Sequence, residues 1–131
     1  MSASTPSIGA EWVSPLASSQ IHVVAGAIED GRGRVLVARR PDDAHQGGRW
    51  EFPGGKLERG ESRLGGLERE LWEELGIRVL AASPLIRIHH DYGDRHVLLD
   101  VHRVTSYSGE PVGREGQPLA WLAPDAMDPA L

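Results

Sequence analysis

The chain has 131 residues, 14 Lys and Arg against 19 Asp and Glu for a formal net charge of −5, and no cysteine. That length fits one domain able to bury a core without disulfides or a structural metal, and the missing cysteines exclude thiolate zinc sites and cysteine nucleophiles. The acidic balance offers no basic footprint for a nucleic-acid polymer, but a small anion still fits a cleft made locally positive by a metal and a few arginines.

Residues 1–19, rich in Ser, Ala and Pro, read as a flexible leader, although Trp12 and Val13 could dock on the domain. The leader lacks the basic start and apolar core of a secretory signal, and no run reaches the ~18 apolar residues of a membrane helix. This is the pattern of a cytoplasmic chain with no membrane partner, its single domain expected over residues 20–131. Residues 21–29, IHVVAGAIE, are β-branched and apolar, as in a strand buried on both faces. Asp30 to Gly33 then predicts a hairpin turn into a second strand, RVLVARR. Residues 41–49 read as a loop, Trp50 to Phe52 as a short extended piece, and Pro53-Gly54-Gly55 as a sharp turn whose freed carbonyls could ligate a cation.

A helix is expected from near Ser62, its candidate N-cap, to Gly76, its C′ glycine. Leu64, Leu67, Leu71 and Leu75 make its apolar stripe. Glu70, Glu73 and Glu74 fall within roughly a 100° arc beside that stripe, since i, i+3 and i+4 share a face. Such a cluster is either a solvated acidic face or the seat of a hard divalent cation such as Mg²⁺, which takes oxygen ligands. Gly65 and Gly66 cost the helix about 1 kcal/mol each relative to alanine. Gly66 lies on the Glu70 side, where it either leaves room for a substrate or is tolerated drift. Downstream, residues 77–92 read as one or two strands broken at Ser83-Pro84, then a turn at Gly93-Asp94, a long strand HVLLDVHRVTSY, a glycine-rich loop from Ser108 to Gln117, and a final strand LAWLA.

The fixed positions Gly55, Glu61, Arg69-Glu70-Leu71, Glu73-Glu74 and Gly76-Ile77, at their spacing, resemble the box that defines the Nudix hydrolases. The resemblance implies an α+β fold built as an α/β/α sandwich: a mixed twisted sheet between helices, with one long box helix. A second helix would have to come from the segment after Ala123. It further implies Mg²⁺ or Mn²⁺ held by Glu70, Glu73 and Glu74 with the Gly54 carbonyl, and a small substrate in which a nucleoside diphosphate is linked to another moiety. Arg69 reaches Glu73 at i+4 and is expected to hold a box carboxylate in place. Glu61 is expected to brace the box from the helix N-terminus, favoured there by the helix dipole.

The likeness extends over roughly residues 21–124. Arg39-Arg40-Pro41 with Asp43-Ala44-His45, Trp50 to Lys56, Asp94-Arg95-His96, Gly109-Glu110-Pro111 and Gly113 to Gln117 look like the MutT-type branch, which converts 8-oxo-dGTP to the monophosphate and pyrophosphate. By that likeness Glu115 completes the metal site, Arg40 meets phosphate, and Phe52, Asp94 and Arg95 line the purine pocket. Other readings stay open: Phe52 as core, Arg40 and Arg95 as surface cations, Glu115 as a solvated residue, and the six histidines as strand caps or packing groups. Where the branch reads the oxidised purine with an asparagine after a proline-alanine pair, this sequence has Pro129-Ala130-Leu131, and leucine offers neither donor nor acceptor. Either the chain is cut from a longer polypeptide, the favoured expectation, or base reading differs, or the alignment shifts in a missing tail. A hydrolase for another nucleoside-diphosphate compound and a nucleotide-binding accessory domain of a larger protein are the alternatives; monomer and small homo-oligomer are both open.

Overall fold

A computed structural model describes residues 20–43, 47–91 and 93–123. The leader with Trp12 and Val13, the Ala44-His45 part of the loop, the segment after Ala123 and Pro129-Ala130-Leu131 lie outside the described residues. Among the described residues seven strands and one helix follow in order: β1 Gln20–Ile28, β2 Val35–Arg39, β3 Trp50–Glu51, β4 Gly54–Lys56, α1 Arg63–Leu75, β5 Arg78–Asp91, β6 His96–Ser108 and β7 Leu119–Leu122. They form a four-stranded sheet in the order β4-β1-β6-β5 and a three-stranded sheet in the order β3-β2-β7. The first sheet is mixed: β1 runs parallel to β6 from Gln20↔His96 to Ile28↔Val104, while β4 and β5 are antiparallel to their neighbours.

The main core lies between α1 and the sheets, where Val24, Ile28, Leu36, Leu67, Leu71, Leu75, Ile77 and Val104 are buried together. A smaller cluster of Ala27, Val35 and Val101 gathers Phe52 and Leu99. Leu64 departs from the expected stripe and is 46% exposed, because it sits in the first turn, before the helix comes down on the sheet. Among the described residues no helix is long and apolar enough to cross a membrane.

The strand pairings revise three expectations. Asp30 makes the turn after β1, its carboxylate accepting from the Arg32 and Arg34 N–H groups at 2.8 Å each. The strands on either side nevertheless part into different sheets, and only a Glu29–Val35 bridge joins them, so this is not a hairpin. Gly54 and Gly55 form a strand rather than a free turn, paired with Ala25 and Val24. Pro84 does not break β5. The strand passes it with shifts in register, which an edge strand tolerates because its outer N–H groups need no ladder partner.

Candidate active site

Local rules set the helix ends. Ser62 is the N-cap, its hydroxyl accepting from Gly65 N–H at 2.9 Å, and Gly76 closes the helix with φ 73° and its N–H on the Trp72 carbonyl. α1 then packs over β4 and β1, which brings its acidic face beside the two glycines of β4. A side chain at Gly55 would overlap the Glu70 carboxylate, and one at Gly54 would overlap the Val24 carbonyl. These glycines therefore allow close approach rather than a turn. Gly66 is also a close-approach glycine: the space beside it is filled by Leu57 and Glu61, which leaves no room for a substrate.

Arg69 organises the near side of the cluster. Its Nε and Nη2 grip Glu61 at 2.6 and 3.0 Å, Nη1 reaches Glu70 at 3.0 Å and Glu73 at 3.2 Å, and Nη2 also holds the Lys56 carbonyl. Glu61, just before the N-cap, also accepts the Glu58 N–H at 2.8 Å. Its carboxyl is held below the ordinary range chiefly by Arg69 and then by that backbone bond.

Glu74 is different. Its carboxyl is pushed up to about 8 by burial, by the charge of Glu70 and a hydrogen bond with it, and by the charge of Glu115, against the pull of the Gly54 N–H. Glu115 arrives from a distant loop laid over the end of α1. There the Val112 N–H donates to the Leu75 carbonyl at 3.1 Å, the Arg114 N–H to the Glu74 carbonyl at 3.0 Å, and Arg114 Nη1 to the Trp72 carbonyl at 2.8 Å. The Glu74 and Leu75 carbonyls are among those a helix leaves without internal partners in its last turn, while the Trp72 carbonyl already takes the Gly76 N–H, so the loop binds mainly groups the helix itself leaves open.

Beside this end of the helix opens a cleft of about 460 Å³, bounded in part by Arg40, Phe52, Gly54, Glu74, Glu115 and Gln117. Arg40 Nη1 bonds Glu51 at 3.0 Å. Phe52 both lines the cleft and packs on the Ala27 cluster. Asp94 and Arg95 are not brought to the cleft wall; the long β5–β6 hairpin carries them on its exposed turn. Glu73, 54% exposed, faces solvent beside Arg69.

Among the described residues no three acidic or imidazole side chains stand in a ready-made ligand cage. Glu70 and Glu115 are nonetheless close enough to Glu74 for their charges to raise the cost of ionising it, and all three are oxygen donors. That unbalanced charge fits a hard divalent cation, which would draw Glu70 from Arg69 and remove the cost of ionising Glu74.

A second polar cluster escaped the sequence reading. Asp100, fully buried in β6, binds Arg63 and His22, with His102 Nε2 3.2 Å away but outside hydrogen-bonding geometry. Its signal was a lone aspartate inside the apolar run Val97 to Val101, where an unpaired charge is too costly to bury.

Fold and site together set a carboxylate-rich helix end against an open cleft. Residues 24–130 match the family model described as NUDIX domain. The 8-oxo-dGTP diphosphatase of Proteus vulgaris is 43% identical over 97 residues, which cover 74% of this chain and 87% of that protein. The CTP pyrophosphohydrolase of Escherichia coli (strain K12) is 38% identical over 105 residues, 80% of this chain and 77% of that protein. The MutT NUDIX hydrolase from Burkholderia pseudomallei superposes with a TM-score of 0.75 at 30% identity, covering 83% of this chain and 87% of that one. The chain belongs to the Nudix family. It is a hydrolase of phosphoanhydrides, of a family that acts on small nucleotides and generally needs a divalent metal.

Proposed function

We propose that the chain hydrolyses a nucleoside triphosphate to the monophosphate and pyrophosphate, with an oxidised purine nucleotide such as 8-oxo-dGTP as substrate and Mg²⁺ (or Mn²⁺) as cofactor, in the cytoplasm. One observation carries this reading: Glu74, Glu115 and the Gly54 backbone meet on one cleft whose wall also presents Arg40 and Phe52. The relative named 8-oxo-dGTP diphosphatase, alike over most of both chains, supports the same substrate class.

In this reading Glu70, Glu73, Glu74, Glu115 and the Gly54 carbonyl hold the cation. When bound, it neutralises phosphate charge and makes a water easier to deprotonate. Arg40 exchanges its bond to Glu51 for one to phosphate, and Phe52 offers a flat face to the base. Water adds across the α–β anhydride, its hydroxyl joining phosphorus and its proton passing to a carboxylate of the cluster, so no covalent nucleophile is required. Gly55 and Arg69 keep Glu70 in place, Glu61 anchors Arg69, and Gly76 ends the helix where the Glu115 loop attaches. Asp94 and Arg95 take part only if their turn folds over the bound base.

The likeness to the CTP pyrophosphohydrolase favours a second substrate, a pyrimidine triphosphate. Incubation with 8-oxo-dGTP, dGTP and CTP in Mg²⁺ separates the two. The expected result is pyrophosphate release, fastest from 8-oxo-dGTP; preference for CTP selects the second reading, and release of inorganic phosphate alone, or no turnover, rejects both.

A further inference from the structure

Between the Glu115 loop and the helix, one side chain bonds to both pieces of backbone that carry the cleft carboxylates. Gln117 Oε1 accepts from the Glu115 N–H at 2.9 Å, and Gln117 Nε2 donates to the Glu74 carbonyl at 3.4 Å. The same Glu74 carbonyl receives the Arg114 N–H, and the Arg114 guanidinium, besides bonding the Trp72 carbonyl, lies 5.1 Å from the centre of the Trp72 ring. The loop is drawn tight enough for this by its glycines. A side chain at Gly113 would overlap the Gln117 carbonyl, and Gly116 has φ 81° with its N–H on the Gly113 carbonyl at 2.9 Å.

We propose that Gln117 is a positioning residue that fixes Glu115 relative to Glu74, with Arg114 as its second anchor, so that the two carboxylates are presented to one cation. The proposal rests on the metal-site reading above. The polar ends of Gln117 bond backbone atoms of Glu115 and Glu74, and its effect on the cation must therefore pass through their carboxylates. A residue that orients a ligand in this way changes metal affinity without touching the metal. Trp72 and Arg114 strengthen the attachment, since a guanidinium over an indole adds attraction to the hydrogen bond it already makes.

The test is Mn²⁺ binding to the full chain by titration calorimetry, for wild type, Gln117→Met, Glu115→Gln and the double variant, with amide exchange at Glu115 followed in parallel. Methionine keeps the length of the side chain and removes both polar ends. Gln117→Met is expected to weaken Mn²⁺ binding ~10-fold and speed exchange of the Glu115 amide, with core amides unchanged, and to cost nothing further once Glu115→Gln is present. Wild-type affinity in Gln117→Met, or a loss that persists undiminished in the double variant, overturns the proposal. Failure of the wild type to bind Mn²⁺ sinks instead the metal-site reading on which it rests. If Gln117→Met does not fold, Arg114→Met, at an exposed position, is expected to show a smaller loss in the same cycle, and an unchanged affinity there overturns the proposal too.

Discussion

Arg63 and Asp100 form a two-pronged ion pair, Nε at 2.5 Å and Nη2 at 2.8 Å, that joins the first turn of α1 to the middle of β6. Asp100 is fully buried, whereas Arg63 keeps a third of its side chain exposed. Asp100→Asn leaves a guanidinium half-answered among buried groups. Discounted for the exposure of Arg63, the expected cost is about 2–3 kcal/mol in urea-unfolding free energy.

The same aspartate gives acid sensitivity. Arg63, then His22 and His102, hold its carboxyl below the ordinary range against the opposing effect of burial. A lowered folded-state value contributes stability that is complete above the unfolded value, about pH 4, and shrinks as pH falls below it. Wild-type stability should therefore fall more steeply on acidification below about pH 4 than that of Asp100→Asn, as measured by thermal melts across pH.

Glu74 has the opposite sign. With its folded value raised from 4.5 to about 8, the metal-free protein loses stability as pH climbs through that window, because the folded state resists the ionisation that the unfolded chain permits. Glu74→Gln should flatten this slope, leaving the metal-free variant more stable than wild type at pH 8, while turnover falls ~10³-fold or more. Melts in a chelating buffer and pyrophosphate release check the two halves.

The paired glycines of β4 should fail differently. Gly54→Ala collides with the backbone of β1 and is expected to cost roughly 1–3 kcal/mol of stability. Gly55→Ala collides with the end of a side chain, Glu70, and should cost ~10–100-fold in kcat/KM with little change in melting temperature.

Arg69→Lys keeps the charge at the centre of the box but cannot reproduce the fork that holds Glu61 while reaching Glu70 and Glu73. The expected result is a ~10-fold or larger loss of activity, with excess Mn²⁺ restoring part of it if the loosened carboxylates still reach the ion.

What could be read from the sequence followed range. Ser62 and Gly76 mark the helix ends because capping depends on neighbours a few residues away, and the box spacing identified the family for the same reason. Gly54 and Gly55 were misread as a turn because their reason lies on other elements, the Val24 carbonyl and the Glu70 carboxylate. Of the two readings of Gly66, room left for a substrate fails because Leu57 and Glu61, outside any local helical pattern, fill the space. The Asp100 cluster draws on β1, α1 and β6, and no local pattern pairs His22 with a residue so far along the chain.

The parallel register of β1 with β6 has a consequence for synthesis. As the chain emerges from the ribosome, β1 has no β6 neighbour until residues 96 onward have been made, and among the described strands only β4 is there to pair with it in the interval. Its apolar stretch Val23 to Ile28 is then only partly covered, for seconds at ordinary elongation rates of about 5–20 residues per second. Joining strands so distant in sequence is also slow. Yield from the cell should therefore depend on chaperone supply and growth temperature more than the equilibrium stability of the finished protein indicates.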